Sequence, residues 1–453
     1  MDVAAHIHAA KMAGRKRLNL SCGLQTFPLE LYELADTLEV LDLSGNNLSS
    51  LPDDFSRLHK LRVLFCSDNQ FKELPEVLGQ CTQLDLVGFK ANQIRQVPGA
   101  ALSKNLRWLI LTDNQITELP AEIGLCTQLQ KLMLAGNQLQ CLPHEMAACT
   151  RLELLRIAAN KFTELPIWLL DLPRLSWLAY AGNPFSEIQE TQALTQNPIA
   201  EISWQQLEMQ HKLGEGASGV IQQAVWKEST AQRTGVAVKL FKGAVTSDGL
   251  PHSEMAACIS AGSHPNLIGI HGKIHEHPAA GTGLVMSLID VVYSNLAGPP
   301  SLDSCTRDIY ATNARYSLDA ALRIAHGIAS AARQLHERGI MHGDLYAHNI
   351  LHNTEGDCLL GDFGAASFFS TQDQPLALSL QRIEVRAFAC LLEELLARCT
   401  TDERTLDSET GMMKDLLLLQ RQCAQESAAH RPLFSEIVQS LQSFKNTLDP
   451  ASL

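Results

Sequence analysis

A glycine-rich loop and a lysine on the next apolar run are the first residues that could bind phosphate. Gly214, Gly216 and Gly219 form a G-x-G-x-x-G pattern between two strand-like segments, and Lys239 ends a V-A-V-K run 20 residues after the last glycine. Glycines let backbone N–H groups close over phosphates, and a strand lysine can neutralise them. The loop alone also fits a dinucleotide fold. No βαβ helix follows it, so the lysine-bearing strand favours a phosphate-binding site.

A lysine that binds phosphate needs a carboxylate to orient it. Glu254 lies 15 residues after Lys239, in the segment Leu250–Ser260, where the spacing of apolar residues fits a helix. We predict that Glu254 pairs with Lys239. The alternative is an exposed glutamate on the surface of that helix.

The densest group of chemistry-bearing residues lies further along the chain. Asp344 and Asn349 stand five residues apart in the segment Ile340–Leu351, and a D-F-G motif begins at Asp362. In these motifs the chain resembles the protein-kinase family, whose catalytic loop reads H-R-D-L-x-x-x-N and whose metal-binding loop reads D-F-G. The resemblance covers roughly residues 207–441 and includes the glycine-rich loop.

The resemblance implies roles for these side chains, with ATP as the phosphoryl donor and Mg²⁺ as the cofactor. Asp344 would accept the proton of the acceptor hydroxyl and orient it. Asn349 and Asp362 would hold the magnesium ions that bridge the phosphates, and Lys239, oriented by Glu254, would neutralise them. The transition state of phosphoryl transfer is loose and anionic, so such a site acts mainly by positioning and charge neutralisation.

The same resemblance implies a set of apolar residues around the adenine ring. Met286 would lie behind the ring at the end of the fifth strand, with Leu288 in the hinge that follows. Ala237 and Leu351 would sandwich the ring, and Ile221 would contact the nucleotide just after the glycine-rich loop.

The chain departs from the family pattern around the catalytic loop. Gly343 stands where most protein kinases have an arginine that binds a phosphate group on the activation loop. We therefore expect activity that does not depend on phosphorylation of this loop. Tyr346 replaces the lysine expected in serine/threonine kinases. Only residues 365–383 separate the metal loop from Glu384, without an A-P-E motif, so the peptide-docking platform is expected to be short. Glu384 stands at the place of an aspartate that braces the catalytic loop, and residues 290–316 form an insertion.

Two other functions remain open. The H-G-D-x-x-x-x-N loop around Asp344 is also similar to that of small-molecule kinases such as aminoglycoside phosphotransferases. A pseudokinase that acts only as a scaffold is the second alternative. The glycine-rich loop and the Arg431-Pro432 pair favour a protein kinase, and the presence of every direct phosphate and metal ligand favours an active one. We therefore predict γ-phosphoryl transfer from ATP to a protein hydroxyl, on serine or threonine rather than tyrosine.

The first 185 residues repeat with a period of 23. Asparagine recurs in the frame L-x-x-L-x-L-x-x-N-x-L-x-x-L-P at seven positions, with one step of 22: Asn46, Asn69, Asn92, Asn114, Asn137, Asn160 and Asn183. Alternating leucines form a short strand that stacks on the next coil, and asparagine side chains can bond backbone groups in the turn. The pattern resembles leucine-rich repeats. Combined with a kinase, it is similar to bacterial leucine-rich-repeat protein kinases that read H-G-D-L-Y-A-H-N in the catalytic loop.

A solenoid of this kind exposes a strand face that can bind another protein. We predict that the repeats recruit a protein substrate or regulator in place of the short docking platform, with Trp108 and Trp177 as aromatic anchors. The alternative is a scaffold that binds no partner.

A chain of 453 residues is too long for one ordinary core. The motifs predict a multidomain chain, an α/β leucine-rich-repeat solenoid followed by an α+β two-lobed protein-kinase fold. The predicted order is an N-terminal segment with a degenerate capping repeat over 1–37, repeats over 38–185, a linker over 186–203, the kinase small lobe and hinge over 204–289 and the large lobe over 290–453.

The composition limits the partners and the compartment. The formal net charge is −13, so the chain has no electrostatic reason to bind nucleic acid or an anionic membrane. No run of 18 apolar residues could span a bilayer. The twelve cysteines form no C-x-x-C pair, which indicates a reducing compartment. We predict a cytoplasmic protein without a membrane span.

Overall fold

The computed structural model describes residues 3–216, 218–229, 232–243, 245–246, 248–400 and 406–448. The chain forms two compact units. The N-terminal unit comprises Met1–Leu175 and Asn183–Phe185, and the C-terminal unit comprises Ser176–Gly182 and Ser186–Leu453. Residues 176–182 thus belong to the C-terminal unit, although the repeat period of the sequence runs through them.

Short parallel strands recur at the repeat period in the described part of the N-terminal unit. Each strand has three residues and pairs in parallel with the next one: Arg17–Asn19, Val40–Asp42, Val63–Phe65, Leu86–Gly88, Trp108–Ile110, Lys131–Met133 and Leu154–Arg156. Turns of 3₁₀ helix connect them: Leu29–Leu34, Phe55–Arg57, Glu76–Gln80, Gly99–Ala101, Ala121–Leu125 and His144–Ala148. The α-helix Val3–Met12 precedes these strands and Ile167–Leu170 follows them.

Asparagine side chains satisfy the backbone at each turn of the repeat. The Nδ2 of Asn137 donates to the carbonyl oxygens of Leu111 and Leu134, each at 2.9 Å. Its Oδ1 accepts from the amide of Ile116 at 3.0 Å. Leu111 and Ile116 lie in the preceding coil, so the side chain joins neighbouring coils as well as closing its own turn. The predicted repeat is therefore confirmed.

The C-terminal unit contains a mixed sheet of six strands. Their spatial order is Leu207–Glu215, Gly219–Lys227, Arg233–Phe241, Gly283–Ser287, Ile270–His275 and Glu201–Ser203. Neighbouring strands are antiparallel, apart from the last pair, which is parallel. The glycine-rich loop connects the first two strands, and the helix Pro251–Ala261 follows the third. Val236, Val238 and Val285, on its third and fourth strands, are fully buried in the core beneath it.

Helices dominate the rest of the C-terminal unit. Besides Pro251–Ala261, the helices among the described residues are Pro184–Gln196, Leu318–Glu337, Gln374–Leu396, Leu406–Cys423 and Phe434–Leu448. The first of these begins at the boundary between the units. Turns of 3₁₀ helix lie at Trp204–Gln206, Ala347–Asn349 and Ala428–His430. The short strands are Trp177–Ala179, Ser294–Asn295, Tyr316–Ser317, Ile340–Met341, Ile350–His352, Cys358–Leu360, Ser367–Phe368 and Cys399–Thr400. None of the described helices combines the length with the apolar composition that a membrane span requires.

The helix Leu318–Glu337 shows how local sequence positions the site. Ser317 caps its start, because the serine side chain accepts from the amide of Ala320 at 3.1 Å. One face is buried at the spacing of a helix through Leu322, Ala325, Ile328, Ala329, Ala332 and Leu335. Gly339, with a φ of +69°, follows its end and adopts the left-handed backbone that glycine favours. The helix leads directly into the predicted catalytic loop.

Candidate functional site

The lysine and the glutamate that the sequence predicts to pair do form an ion pair. Lys239 lies in the third strand of the sheet, and its Nζ contacts the Oε1 of Glu254 in the helix that follows. Their side chains are 12% and 2% exposed, so the alternative of a surface glutamate is wrong. Burial lowers the pKa of Lys239, but the charges of Glu254 and Asp362 raise it more, and the pKa lies above its ordinary value. The lysine is therefore a cation at neutral pH.

The glycines of the loop have different reasons to be glycine. A Cβ on Gly219 would lie 2.4 Å from the carbonyl oxygen of Leu240, so close backbone approach requires glycine there. Among the described residues, open space surrounds the Cβ positions of Gly214 and Gly216. Packing against the described residues does not explain these two glycines, and the open space leaves room for a bound phosphate.

A cavity beside this loop brings many of the predicted residues together. Its lining includes Gly216, Gly219, Ile221, Lys239, Glu254, Met286 and Asp362. Ala237 lies directly opposite Met286 on the neighbouring strand. Leu288 packs over Gly235, with its Cδ2 3.4 Å from the Cβ position of that glycine. Leu351 lies in the short strand after the catalytic loop, outside the lining of the cavity.

Asp344 and Asn349 are in direct contact within the catalytic loop. The Nδ2 of Asn349 donates to the Oδ2 of Asp344 at 2.8 Å and to its carbonyl oxygen at 2.9 Å. The amide of Asp344 donates to the Nδ1 of His342 at 3.3 Å, and the Nε2 of His342 bonds the carbonyl oxygen of Gly361 at 2.9 Å. The buried histidine thus ties the catalytic loop to the residue that precedes Asp362.

A buried glutamate holds the backbone of the same loop. Glu384 accepts from the amides of His342 and Gly343 at 3.2 and 2.7 Å. It also bonds the ring of His336 at 2.7 Å. Burial raises the pKa of Glu384, but the bond to His336, the charges of His336 and His342 and the amide of Gly343 together lower it more, so the pKa lies below its ordinary value and the group is a carboxylate. The prediction that Glu384 takes the place of the bracing aspartate is confirmed.

The donor atoms of Asp362 and Asn349 fit a magnesium ion. Asp362 is exposed at the cavity, and its Oδ1 accepts from the amide of Gly364 at 3.1 Å. The hydrogen bonds from Asn349 to Asp344 both use Nδ2, which leaves its amide oxygen for a cation. Carboxylate and amide oxygens are the ligands that Mg²⁺ prefers.

Sequence reasoning missed a histidine–aspartate contact in the catalytic loop. The amide of His348 donates to the Oδ2 of Asp308, and its Nδ1 bonds the Oδ1, both at 2.8 Å. Asp308 comes from the predicted insertion, 40 residues away. Burial lowers the pKa of His348, but Asp308, together with the charges of Asp344 and Asp362, raises it more, so the pKa lies above its ordinary value. The sequence indicated only that residues 290–316 form an insertion. No local spacing in it predicts that Asp308 contacts His348.

Trp177 is not a surface anchor. The residue is 1% exposed, and its ring stacks on Tyr346 with centroids 4.1 Å apart and 6° between the planes. Its Nε1 donates to the carbonyl oxygen of Leu345 at 3.1 Å. The predicted role of Trp177 in partner binding is wrong, because its strand packs inside the C-terminal unit beside the catalytic loop. Trp108 is half-buried, and its role as an anchor stays a prediction.

Gly343 has a packing reason to be glycine. Its φ is +72°, which L side chains rarely adopt. A Cβ there would lie 2.4 Å from the carbonyl oxygen of Ala365 and 2.8 Å from that of Leu178. An arginine cannot occupy this position unless the backbone moves. Glycine therefore replaces the family's arginine at a position where residues 176–182 lie against the catalytic loop.

Family models match both parts of the chain. Residues 207–390 match the model described as protein tyrosine and serine/threonine kinase. Residues 36–79 and 104–162 match two models of leucine-rich repeats. The kinase match contains the glycine-rich loop, the Lys239–Glu254 pair, the catalytic loop and Asp362.

The similar proteins bear the names of kinases and of a receptor. A protein named as a serine/threonine-protein kinase in Acanthamoeba polyphaga mimivirus is 28% identical over 191 residues, which cover 41% of this chain and 31% of that protein. Fibroblast growth factor receptor 1 of Pleurodeles waltl is 23% identical over 295 residues, which cover 55% of this chain and 36% of the receptor. An L-type lectin-domain containing receptor kinase of Oryza sativa subsp. japonica is 29% identical over 167 residues, which cover 36% of this chain and 22% of that kinase. The chain thus spans little more than a third of the length of these relatives at most.

Both predicted modules are confirmed by these matches and by the fold. The strands and asparagine turns of the N-terminal unit are those of leucine-rich repeats. Residues 207–390 belong to the protein tyrosine and serine/threonine kinase family, and they follow leucine-rich repeats in the same chain.

Proposed function

We propose that this protein is an ATP-dependent protein kinase that transfers the γ-phosphoryl group of ATP to a serine or threonine hydroxyl of a protein. One observation carries the proposal: the buried Lys239–Glu254 ion pair lines the same cavity as Asp362. An ammonium group beside carboxylates fits a polyanionic substrate that arrives with a divalent cation. The match to the protein-kinase family model supports phosphoryl transfer to a protein. The relative named as a serine/threonine-protein kinase supports serine or threonine as the residue that accepts the phosphoryl group.

In this proposal, ATP lies between the glycine-rich hairpin and the catalytic loop. The backbone amides of the loop at Gly214, Gly216 and Gly219 cover the phosphates, and Lys239 neutralises part of their charge. Apolar side chains surround the adenine, which excludes water from one end of the nucleotide. Ile221 and Met286 line the cavity, and the places of Ala237, Leu288 and Leu351 beside the ring stay predictions.

The catalytic loop provides the groups that act on the acceptor. Asp344, oriented by the amide of Asn349, accepts the proton of the hydroxyl and directs its oxygen toward the γ-phosphorus. The carboxylate of Asp362 and the amide oxygen of Asn349 would hold Mg²⁺. When bound, the ion supplies charge neutralisation at the phosphates. Lys239 remains protonated throughout because Glu254 and Asp362 raise its pKa.

The two alternative functions have less support. A pseudokinase commonly lacks a phosphate or metal ligand, whereas Lys239, Asp344 and Asp362 are all present and the lysine is paired. A small-molecule phosphotransferase fits the glycine at position 343 equally well. That glycine, however, has a packing reason of its own, and the family match is to protein kinases.

The test compares the wild-type chain with Asp344→Asn in transfer of labelled phosphate from Mg·ATP to proteins of a cell lysate. The substitution keeps the shape of the side chain and an acceptor for Asn349, but it removes the base. We expect Asp344→Asn to lower the rate of phosphate transfer at least about a hundredfold. The control variant Glu355→Gln removes an exposed carboxylate from a turn of the same unit and should keep full activity. A wild-type chain that transfers no phosphate, or an Asp344→Asn chain that keeps its rate, would refute the proposal.

We further propose that the leucine-rich repeats recruit the protein substrate or a regulator. Half-buried aromatic side chains on the repeat strands, Phe65 and Trp108, support this, since rigid aromatic groups are common anchors of interfaces. Binding to a remote surface raises the effective concentration of a substrate that a short docking segment cannot hold.

Substitution in the full chain tests recruitment. Trp108→Ala should leave ATP hydrolysis unchanged and lower phosphorylation of the main lysate substrate by tenfold or more, about 1.4 kcal/mol. The matched control is Ile167→Ala, which removes an exposed apolar side chain from the short helix of the same unit. Equal phosphorylation by the Trp108→Ala and wild-type chains would show that this residue does not recruit the substrate.

A further inference from the structure

Ser253, the residue before Glu254, is held by a carboxylate from outside its own helix. Its Oγ donates to the Oε2 of Glu190 at 2.7 Å, and the two residues are 1% and 6% exposed. A buried hydrogen bond to a carboxylate is strong and restricts both partners. Ser253 lies in the first turn of the helix. The bond therefore fixes the end of the helix that presents Glu254 to Lys239.

The other oxygen of Glu190 reaches the turn that follows the strand Trp177–Ala179. Its Oε1 accepts from the amide of Gly182 at 2.8 Å and from the hydroxyl of Ser186 at 2.9 Å. One buried carboxylate thus joins three segments of the C-terminal unit. Its hydrogen bonds offset the cost of its burial, so the contact is specific in geometry.

The residues before this turn hold the other side of the active site. Ser367, three residues beyond the D-F-G motif, accepts through its Oγ from the amides of Tyr180 and Ala181 at 2.9 and 3.2 Å. Trp177 stacks on Tyr346 in the catalytic loop. A continuous set of contacts therefore runs from the helix of Glu254, through Glu190, to the catalytic loop.

The activation segment is short, and its strand Ser367–Phe368 pairs with Ile340–Met341 at the start of the catalytic loop. Only residues 365–373 lie between the D-F-G motif and the helix Gln374–Leu396. In most protein kinases an arginine binds a phosphate group on this segment. Gly343 stands at that position here, and the backbone around it leaves no room for a side chain. Residues 177–182 and 186–190 add buried hydrogen bonds to the contacts that this short segment makes.

We propose that residues 177–182 and 186–190, here called the brace, hold the two halves of the active site in their working arrangement. Glu190 is the positioning residue for Glu254, and Trp177 with Tyr180 positions the catalytic loop. The brace is part of the same chain, so the arrangement requires no phosphorylation. This proposal rests on the kinase function proposed above.

The first experiment measures ATP hydrolysis by the full chain, as release of labelled phosphate, because hydrolysis requires no identified acceptor. Ser253→Ala removes the bond to Glu190 and should lower kcat about tenfold, with KM for ATP changed less than about threefold. The matched control Ser260→Ala lies on the same helix and is 2% exposed, but its hydroxyl has no hydrogen-bond partner among the described residues. This control should keep the wild-type kcat.

Two further variants separate positioning from a merely structural role. In a Glu254→Gln background, Ser253→Ala should lower kcat no further, because the bond acts through Glu254. Equal losses in both backgrounds would overturn the proposal. Glu190→Gln keeps an acceptor for Gly182 and a polar partner for Ser253, so it should remain within about threefold of wild type while Glu190→Ala loses about tenfold or more. Equal losses for these two variants would also overturn it.

Hydrogen exchange of amides 254–261 provides a readout that does not depend on activity. Ser253→Ala should accelerate this exchange about tenfold, and Ser260→Ala should leave it unchanged. If Ser253→Ala retains the wild-type kcat, the proposal fails whatever the exchange shows. If the wild-type chain neither hydrolyses nor transfers phosphate while the exchange changes as expected, the proposed function fails and the contact made by the brace stands.

Discussion

Replacing Gly343 by alanine perturbs the point where the catalytic loop meets the brace. The new Cβ would lie 2.4 Å from the carbonyl oxygen of Ala365 and 2.8 Å from that of Leu178. Both atoms belong to backbone, so neither can rotate away as a side chain would. The amide of Gly343 also donates to Glu384 at 2.7 Å, and a shift of the loop weakens this bond. We therefore expect the C-terminal unit to lose stability.

The magnitude follows from two independent costs. A φ of +72° costs a residue with a Cβ about 1–2 kcal/mol relative to glycine. Relief of overpacking by a shift of the backbone costs about 1–3 kcal/mol in a buried site. The free energy of unfolding of the C-terminal unit should therefore fall by about 2–5 kcal/mol.

Urea unfolding of the full chain, followed by tryptophan fluorescence, measures this loss. The chain has two units, so two transitions are fitted, and Trp177, Trp204 and Trp226 report on the C-terminal one. Its midpoint should fall by about 1–2 M. The other transition, which belongs to the repeats, should not move.

A glycine with space around it serves as the control. Gly411 lies within the helix Leu406–Cys423, and open space surrounds its Cβ position among the described residues. Alanine there should raise stability by about 0.5–1 kcal/mol, since glycine is a poor helix former. A Gly343→Ala chain whose C-terminal midpoint equals that of wild type would refute the packing argument.

Three further outcomes are expected. Lys239→Met and Asp362→Ala should each remain folded by circular dichroism and lower kcat at least about a hundredfold, because each removes charge at the transferred phosphoryl group; wild-type turnover by Asp362→Ala would contradict the assignment of the metal ligand. Phosphatase treatment should leave the rate unchanged, because Gly343 provides no arginine to bind a phosphate on Ser370 or Thr371, and Ser367 is fully buried and accepts two backbone hydrogen bonds; a rate that falls and returns on rephosphorylation would contradict this. Asp308 raises the pKa of His348 above its ordinary value of 6.5, so the pair stabilises the fold fully below that pH and less as pH rises through the folded pKa. The free energy of unfolding should fall across this window in wild type and not in Asp308→Asn; parallel pH profiles would contradict the assignment.

Local motifs determined most of the candidate site. Asp344 and Asn349 stand five residues apart in one loop, so their contact follows from the conformation of a short stretch of backbone. Lys239 and Glu254 are 15 residues apart, on a strand and the helix that comes next in the chain. The repeat asparagines bond within their own coil and to the coil before it, at most 26 residues away, which is why the period alone predicted their turns.

The sequence placed a strand at Trp177 but could not determine what packs on it. The period indicates where a strand forms, and an aromatic residue on a repeat strand is expected at a binding surface. Its hydrogen bond to Leu345 spans 168 residues, and the stack on Tyr346 is equally remote. Spacing contains no information on such a contact, because it depends on how distant segments close on one another.

The same reason explains why the brace and the insertion were not predicted to hold the site. Ser253 meets Glu190 across 63 residues, and His348 meets Asp308 across 40. Buried polar side chains need partners, but the sequence does not state which of many carboxylates is the partner. The sequence by itself therefore determined the two modules and the residues that we propose do the chemistry. Only the tertiary structure decided which distant residues hold them in place, because burial and hydrogen bonding between remote segments exist only once the chain has folded.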